Sequence, residues 1–400
     1  MTEPSTPFRF EYDPPTVRSG PGAVAALGDE LARQELGRAL VVCGSTVGST
    51  PAVMDPVRAG LGDRLAGVFA ETTPEKRLST AADALSAYRA ADADVLVGLG
   101  GGSSLDVAAV ASLLAAENRD ADAVAAELAE TGTIAPPDGE FAPLVAVPTT
   151  LAGADMSMVA GVTAGPESGL DSRVGGGVSD RRLMPRAVVP DPELVATTPR
   201  PVLAGSAMNG FDKGIETLYA AGRTPITDAT AARGLSRFRE GMAAFEGDTV
   251  EATALAPAVE GLVLLQYGIS RPSGTTLSLI HAFGHALTRT SPIQQGAAHG
   301  IVAPHALAAL FESVEGRRDL LASALGVGDA PDPAAAVVDA VAAVRDTLGL
   351  PTRLRDVDGP EPEAFDSVAR AVLDDAFMHN APEGFDPSVE TIEEVLRAAY

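Results

Sequence analysis

The stretch DVLVGLGGGSSLD, residues 94–106, joins an apolar run typical of a buried β-strand to three consecutive glycines. Glycine lets the backbone approach a bound group closely, and a helix that follows would present free N–H groups and the positive end of its dipole to an anion. A tight turn with Ser103 as the helix cap is the alternative, but such a turn does not require three glycines. The stretch therefore predicts a loop that binds a pyrophosphate. Its candidate cofactor-binding residues are Gly100, Gly101, Gly102, Ser103 and Asp106.

Similar apolar runs lie on both sides of this stretch. Residues 38–43 (RALVVC) and 143–147 (PLVAV) are typical of buried strands, and alanine-rich helical patterns occupy residues 80–91 and 105–116. Strands that alternate with helices at this spacing indicate parallel βαβ units. We therefore expect a Rossmann-like α/β domain with a parallel sheet, in which ligands bind at the carboxyl ends of the strands.

Strand patterns fade after residue 190 and long helical patterns replace them. These patterns cover residues 202–221, 227–245, 253–267, 275–288, 299–315 and 334–348. A chain of 400 residues is also too long for one ordinary core. We therefore expect two domains, a dinucleotide-binding α/β domain over residues 1–190 and an all-α catalytic and substrate domain over residues 191–400.

The composition narrows the classes of partner. The formal net charge is −25 at pH 7, and such a field repels nucleic acid and anionic lipid. No apolar run is long enough for a membrane helix and the first residues lack a signal-peptide pattern, so we expect a cytoplasmic protein without nucleic-acid or membrane partners. The single cysteine, Cys43, excludes an internal disulfide and a multi-cysteine zinc site.

Lysine is nearly absent among the basic residues. Of the 29 Lys and Arg residues, only Lys76 and Lys213 are lysines. An acidic, lysine-poor chain suggests a salt-rich cytoplasm, because at about 1 M salt the Debye length falls to roughly 3 Å and self-repulsion is screened. This halophilic composition makes a lysine inside a helical pattern conspicuous.

A second polar loop, PTTLAGADMS, follows the strand at 143–147. Its candidate contacts with phosphate or the nicotinamide ribose are Thr149, Thr150 and Ser157. The strand at 38–43 is followed by Gly44 and Ser45. Many NAD-binding domains of the Rossmann type carry an acidic residue after the corresponding strand, where it bonds the ribose hydroxyls. Nothing in this turn would repel a 2′-phosphate, so NADP or NAD is the expected cofactor.

The motifs GGGSSLD and PTTLAGAD resemble, in order and spacing, two loop motifs of the iron-containing alcohol dehydrogenase superfamily. Residues 183–199 (LMPRAVVPDPELVATTP), 280–287 (IHAFGHAL) and 297–307 (AAHGIVAPHAL) extend the resemblance over nearly the whole chain. The resemblance implies a dinucleotide-binding domain followed by a helical domain. It also implies hydride transfer between a nicotinamide and a carbonyl or alcohol, and assembly into a homo-oligomer such as a dimer.

The resemblance implies a metal site that this chain does not preserve. Metal-dependent members use an Asp and a His four residues apart on one helix, because these positions share a helix face, together with two further His. Asn209 and Lys213 stand at the positions of that pair, whereas His281 and His299 match the later His. An amide is a weak ligand and an ammonium is none, so we expect no bound metal. If Fe or Zn is bound, Asp212, His281 and His299 would hold it.

The same helix resembles the metal-independent maleylacetate reductase branch of the superfamily. That branch has Ser-x-Met-Asn and Glu-x-Leu-Tyr in this helix, which match residues 206–209 and 216–219. Lys213 departs from the branch, where a His is usual. We predict that the Lys213 ammonium takes the place of the metal and donates a hydrogen bond or a proton to the substrate oxygen. The alternatives are a bond to a substrate carboxylate and a salt bridge to Asp212 or Glu216.

Histidine and arginine side chains complete the predicted site. His281 and His285 share a helix face, and proton relay and substrate binding are favoured for them over metal binding. The predicted catalytic residues are Lys213, His281, His285, His299 and Asn209. Arginine bonds carboxylates through paired N–H groups, which favours an anionic small-molecule substrate. The candidate substrate-binding residues are Arg271, Arg173 and Arg289.

These residues predict a metal-independent reductase of a carboxylated oxo or enoyl compound. A metal-dependent alcohol or polyol dehydrogenase is the first alternative. A non-catalytic nucleotide-binding relative is the second, although Lys213 and the three histidines together favour retained chemistry.

Overall fold

The computed structural model describes residues 7–247 and 249–400, which form two compact units. One unit comprises residues 15–203 and the described part of 247–259, and the other comprises residues 7–14, 204–246 and 260–400. The main division follows Leu203, which is later than the boundary predicted at residue 190. Two short segments depart from the order of the chain. Residues 7–14 belong to the second unit, and the described part of 247–259 belongs to the first.

A six-stranded parallel sheet forms the centre of the first unit. The strands of this unit are β1 (Thr16–Val17), β2 (Ala39–Gly44), β3 (Leu65–Thr72), β4 (Val95–Gly100), β5 (Leu144–Pro148), β6 (Val159–Ala164), β7 (Val174–Ser179) and β8 (Ala187–Val188). Six of them pair in the order β1-β8-β5-β4-β2-β3, all parallel, while β6 and β7 form a separate antiparallel hairpin. The predicted strands at 38–43, 94–98 and 143–147 are confirmed as β2, β4 and β5.

Helices cover both faces of this sheet. They are α1 (Leu27–Arg33), α2 (Ser45–Ser49), α3 (Pro51–Leu61), α4 (Leu78–Ala90), α5 (Gly102–Leu114), α6 (Ala121–Thr131) and α7 (Pro192–Val195). Successive strand residues point to opposite faces, so Val41 packs with α1 and α3 while Leu40 and Val42 pack with α4 and α5. Because the central strands are buried on both faces, they are continuous apolar runs, as parallel sheets require.

The second unit is helical. Its helices, together with the two that span the division, are α8 (Arg200–Tyr219), α9 (Pro225–Glu240), α10 (Ala252–Gln266), α11 (Leu279–Thr290), α12 (Gln295–Ser313), α13 (Arg318–Ala324), α14 (Pro333–Leu348), α15 (Phe365–Leu373) and α16 (Val389–Ala398). The predicted all-α domain is confirmed. None of the helices in the described ranges combines the length and apolar character needed to cross a membrane.

Helix α8 is buried almost all round. Apolar residues such as Phe211 and Ile215 are fully covered, and Phe211 packs against Phe238 of α9 with ring centroids 5.7 Å apart. Polar side chains are rare on a helix that is buried on all sides, because a buried polar group is unfavourable unless it is paired or has a function. Asp212 and Glu216 are nevertheless fully buried on it, and they mark the candidate site.

Candidate active site

The glycine loop connects β4 to α5. β4 ends at Gly100, whose φ of +139° lies in the region that favours glycine, and Gly101 precedes α5 as its N-cap. The Thr149 N–H donates to the Gly100 carbonyl over 3.0 Å, and a Cβ added at Gly101 would lie 3.2 Å from Thr150 Cγ2. The glycine loop after β4 and the Thr149–Thr150 loop after β5 are therefore packed together at the carboxyl ends of their strands. Gly102 belongs to the first of these loops and begins α5. Dinucleotides bind at this edge of such sheets.

Ser104 and Asp106 connect α5 to the segment that follows β3. Ser103 is the second residue of α5 and not its cap, while Ser104 is buried and shares a 2.7 Å hydrogen bond with Thr72. Asp106, a predicted cofactor residue, lies 2.6 Å from Lys76 Nζ. Sequence reasoning missed Ser104 and Lys76 as parts of this loop. Their contacts depend on β3, a strand that the sequence analysis did not identify.

The remaining predicted cofactor residues lie in two different settings. Gly44 ends β2, pairs with Thr72 of β3, and precedes the exposed Ser45 at the start of α2. These two residues share the sheet edge with the glycine loop. The Ser157 hydroxyl instead accepts the Val159 N–H over 3.0 Å in a turn that leads into β6.

Helix α8 places four polar side chains on one stretch of its surface. Asn209, Asp212, Lys213 and Glu216 are spaced by three or four residues, which brings side chains to one helix face. Asp212 and Glu216 are fully buried, and Lys213 is 9% exposed. The predicted partner histidines come from α11 (His281) and α12, so α8, α11 and α12 build one buried ionisable cluster.

His281 is held at three points. Its backbone N–H donates to Glu216 Oε1 over 3.0 Å, its ring Nδ1 lies 2.5 Å from Glu216 Oε2, and its Nε2 lies 3.1 Å from Asn209 Oδ1. The sequence analysis considered Glu216 as a partner of Lys213, and the structure shows that Glu216 is bonded to His281. Asn209 faces the ring nitrogen that a metal would otherwise take.

Burial sets the protonation of this pair. It raises the pKa of Glu216 to about 7, although hydrogen bonds from the backbone N–H groups of His281, Ser278 and Ile280 act in the opposite direction. Burial lowers the pKa of His281 well below its usual value, and the charge of Lys213 lowers it further. Below about pH 7 the Glu216 acid can donate to Nδ1 while Nε2–H donates to Asn209. The neutral imidazole is therefore held as the Nε2–H tautomer by one hydrogen-bond partner on each side.

Asp212 and His299 form a second buried pair. His299 Nδ1 lies 3.2 Å from Asp212 Oδ2 but is not aligned for a hydrogen bond, and both residues are fully buried. Burial and the charge of Glu216 raise the pKa of Asp212, and burial lowers the pKa of His299 to about 3. Both shifts favour the uncharged forms. The rings of His299 and His281 meet edge to face with centroids 4.6 Å apart.

His285, one turn beyond His281 on α11, is held by residues from the C-terminal segment. Its Nδ1 lies 3.0 Å from Asp375 Oδ2, and Arg289 Nη2 lies 3.6 Å from the same oxygen. His285 is therefore part of the same helix face but has its own carboxylate partner. Sequence reasoning missed Asp375 because it is 90 residues away from His285 in the chain.

The three predicted arginines are placed differently from one another. Arg289 is 65% exposed and lies beside Asp375. Arg271 is buried, donates to the Gly222 carbonyl over 2.7 Å and lies over the Phe10 ring, and burial lowers its pKa. Arg173 is exposed in the sheet unit. Hydrogen bonds to the Glu75 carboxylate lower the pKa of Glu75, and the charge of Arg173 has a smaller effect in the same direction.

Within residues 7–247 and 249–400, no group of three or more His, Cys, Asp or Glu residues is arranged to hold a metal ion. Asn209 and Lys213 stand at the helix positions where the resemblance places a metal-binding Asp and His, and His281 Nε2 lies 3.1 Å from Asn209 Oδ1.

Comparisons with known proteins agree along the chain. The family models described as "Iron-containing alcohol dehydrogenase" and "Fe-containing alcohol dehydrogenase family, C-terminal" match residues 14–192 and 203–400. Maleylacetate reductase from Pseudomonas aeruginosa is 28% identical over 326 residues, which are 81% of each chain.

Solved structures share the fold over nearly the full length. Maleylacetate reductase from Agrobacterium tumefaciens covers 99% of both chains with a TM-score of 0.78 at 23% identity. Sulfoacetaldehyde reductase from Bifidobacterium kashiwanohense, solved in complex with NAD+, covers 98% of this chain and 99% of its own with a TM-score of 0.84 at 20% identity.

Proposed function

Because the chain belongs to the iron-containing alcohol dehydrogenase family and is an oxidoreductase, we propose that it is a metal-independent, NAD(P)H-dependent reductase of a carboxylated oxo or enoyl compound. The observation that carries this proposal is the composition of α8, where Asn209 and Lys213 stand in place of the metal-binding Asp and His. The similarity to maleylacetate reductases supports the same reaction class.

Lys213 supplies the electrophilic chemistry in this proposal. When hydride reaches a carbonyl carbon, or the far carbon of a conjugated enoyl group, negative charge develops on the substrate oxygen. An ammonium that donates to this oxygen stabilises the charge. For a carbonyl substrate it also delivers the proton that completes the reduction, whereas the enol formed from an enoyl substrate takes its final proton at the α-carbon when it tautomerises to the saturated product.

The nicotinamide cofactor binds at the glycine loop in this proposal. The loop meets the requirement for close backbone approach, and a relative with the same fold was solved with NAD+. The turn at Gly44 and Ser45 carries no acidic residue, which favours NADPH. Among the substrate-binding candidates we favour Arg289, because it is exposed and lies beside Asp375, the partner of His285. Arg271 instead donates a hydrogen bond to the Gly222 carbonyl. We also propose that it forms a homo-oligomer such as a dimer.

The test compares the reduction of maleylacetate and simple oxo acids with the oxidation of alcohols and polyols, using NADPH or NADH on protein purified in high salt. Lys213→Met should lower kcat for reduction by about 10²–10⁴-fold, since it removes a general acid. Lys213→Arg should restore little activity because guanidinium is a poor proton donor. Arg233→Met, which removes a charge from an exposed position on α9, should leave kcat unchanged.

A metal-dependent alcohol or polyol dehydrogenase is the second candidate, and one observation favours it. Asp212 and His299 are buried together, and neither carboxylate oxygen nor ring nitrogen has a hydrogen-bond partner within the described residues. Elemental analysis of the same preparation, offered Fe²⁺ and Zn²⁺, separates the two candidates. About one equivalent of metal and alcohol oxidation that depends on it would contradict the proposal and assign Asp212, His281 and His299 as ligands.

A further inference from the structure

His285 is bonded to a buried carboxylate from a distant part of the chain. Its Nδ1 lies 3.0 Å from Asp375 Oδ2, and the Asp375 side chain is 4% exposed whereas that of His285 is 33% exposed. One ring nitrogen is therefore engaged on the protein side of a partly exposed imidazole. Because Nδ1 is occupied, any contact with a ligand falls to Nε2.

The Asp375 carboxylate is itself fixed on both oxygens. Oδ1 accepts the Phe377 N–H over 3.0 Å and so caps the short 3-10 turn Ala376–Asn380, while Oδ2 also lies 3.6 Å from Arg289 Nη2. Burial acts to raise the pKa of Asp375, but the hydrogen bonds from His285 and Phe377 and the charge of Arg289 outweigh it, and the net shift is downward. The carboxylate is therefore ionised at neutral pH.

Phe377 adds a steric constraint from the same turn. Its ring packs against the His285 ring with centroids 5.0 Å apart and contacts His281 edge to face at 6.1 Å. The segment 375–377 thus constrains His285 both by a hydrogen bond and by ring packing. A side chain that is one third exposed on a helix would otherwise be expected to exchange rotamers freely.

We propose that Asp375 is a positioning residue that holds His285 as the Nδ1–H tautomer, so that Nε2 presents a lone pair to the substrate or cofactor. An ionised carboxylate next to Nδ1 accepts its proton, orients the ring and stabilises the imidazolium that forms if Nε2 takes up a proton. His285 then acts as a hydrogen-bond acceptor and proton carrier, whereas Lys213 is the donor. The role of His285 in catalysis rests on the proposed reductase function. The assignment of its Nδ1–H tautomer is independent of that function.

Two readouts test the inference on the full chain. The chain has five histidines, so isotope-labelled histidine gives a simple nitrogen spectrum in which His285→Gln identifies the His285 signals. We expect the Nδ1–H tautomer in the unaltered protein. Asp375→Asn should shift His285 towards the Nε2–H tautomer, because the amide N–H₂ can donate to Nδ1, and should lower kcat at least tenfold with little change in KM.

Controls separate positioning from folding and from the proposed reaction. Asp374→Asn removes the adjacent, exposed carboxylate and should change neither the tautomer nor kcat. Asp375→Glu keeps a carboxylate and should retain the tautomer even if Asp375→Asn fails to fold. An Nε2–H tautomer in the unaltered protein, or no tautomer change in Asp375→Asn, would overturn the inference whether or not a reducible substrate is found. A tautomer change with kcat within twofold of normal would overturn the role in catalysis while leaving the reductase proposal intact.

Discussion

Gly284 leaves room for the imidazole of His299. It lies on α11 between His281 and His285, and a Cβ added there would overlap Nε2 and Cδ2 of His299 on α12. The His299 ring is fully buried and cannot move into solvent. A glycine in a helix interior costs about 1 kcal/mol relative to alanine, so a steric requirement of this kind accounts for its presence.

Gly284→Ala is expected to destabilise the protein and to inactivate it. The added methyl group must displace the His299 ring or push α11 from α12, and overpacking of this kind costs about 1–3 kcal/mol. Denaturant unfolding in high salt gives the stability, and the rate of substrate reduction gives the activity. The double variant with His299→Ala is the control: removing the ring should make alanine at 284 neutral or stabilising. Equal costs of Gly284→Ala in both backgrounds would contradict the steric explanation.

Part of the site was predictable residue by residue. Asn209, Lys213 and His281 have recognisable positions in local motifs, and Asn209 and His281 are in direct contact. The partners that fix them were not predictable in the same way, since Asp375 and Phe377 come from a segment that carries no motif of its own. Contacts between residues far apart in the chain depend on how helices pack, and a single sequence contains little information about that.

At the scale of elements, the loop between β4 and α5 depends on one backbone conformation. Gly100 has a φ of +139°, which residues with a Cβ rarely adopt, and an added Cβ would lie 3.0 Å from Ser104 Oγ. Ser104 in turn is bonded to Thr72. Strain at Gly100 would therefore be transmitted to the start of α5 and to the end of β3.

Gly100→Ala should weaken cofactor binding at least tenfold and cost about 1–3 kcal/mol of stability, because the left-handed backbone and the close Ser104 contact are both unfavourable for alanine. Fluorescence titration with NADPH measures the binding. Gly175→Ala in β7 is a matched control, since its Cβ would meet only Thr163 Cγ2 at 3.8 Å. Equal NADPH affinity in the two variants would show that the loop is not a cofactor site of the proposed kind.

The central strands were predictable and the edge of the sheet was not. β2, β4 and β5 are buried on both faces, so each is a continuous apolar run. β3 is an edge strand, LAGVFAET, with most of its residues only partly buried, and its sequence lacks a clear pattern. The long helices that were predicted begin within a few residues of their expected positions, since α11 begins at Leu279 instead of 275 and α12 begins at Gln295 instead of 299. Shorter helices such as α6 and α13 were not predicted.

Across the whole molecule, the dominant electrostatic feature is the formal net charge of −25 at pH 7. Many of the pairs that involve arginine are exposed, such as Arg370 with Asp366, and pairs of this kind contribute little. Repulsion among the remaining carboxylates is unfavourable for a compact chain and is reduced by salt. Salt should therefore stabilise this protein through screening.

The thermal unfolding midpoint should rise by several degrees as KCl increases from about 0.1 M to about 1 M, because the Debye length falls from roughly 10 Å to roughly 3 Å over that range. The rise should flatten above about 1 M, where screening is nearly complete. Circular dichroism at a series of KCl concentrations measures the midpoint. Sucrose at matched osmolality is the control, and an equal rise in sucrose would mean that preferential exclusion, not charge screening, stabilises the fold.

Glu216 shares a hydrogen bond with the ring of His281 and accepts another from its backbone N–H, and this has a consequence for protein engineering. His281 is the third residue of α11, so its N–H is one of the donors that the first turn of a helix leaves unsatisfied. The same carboxylate thus serves as a tertiary helix cap and as an acid–base partner. A substitution chosen to retune the proton affinity of the cluster would also uncap α11, so mutational searches for new specificity have more freedom at the exposed Arg289 than at Glu216.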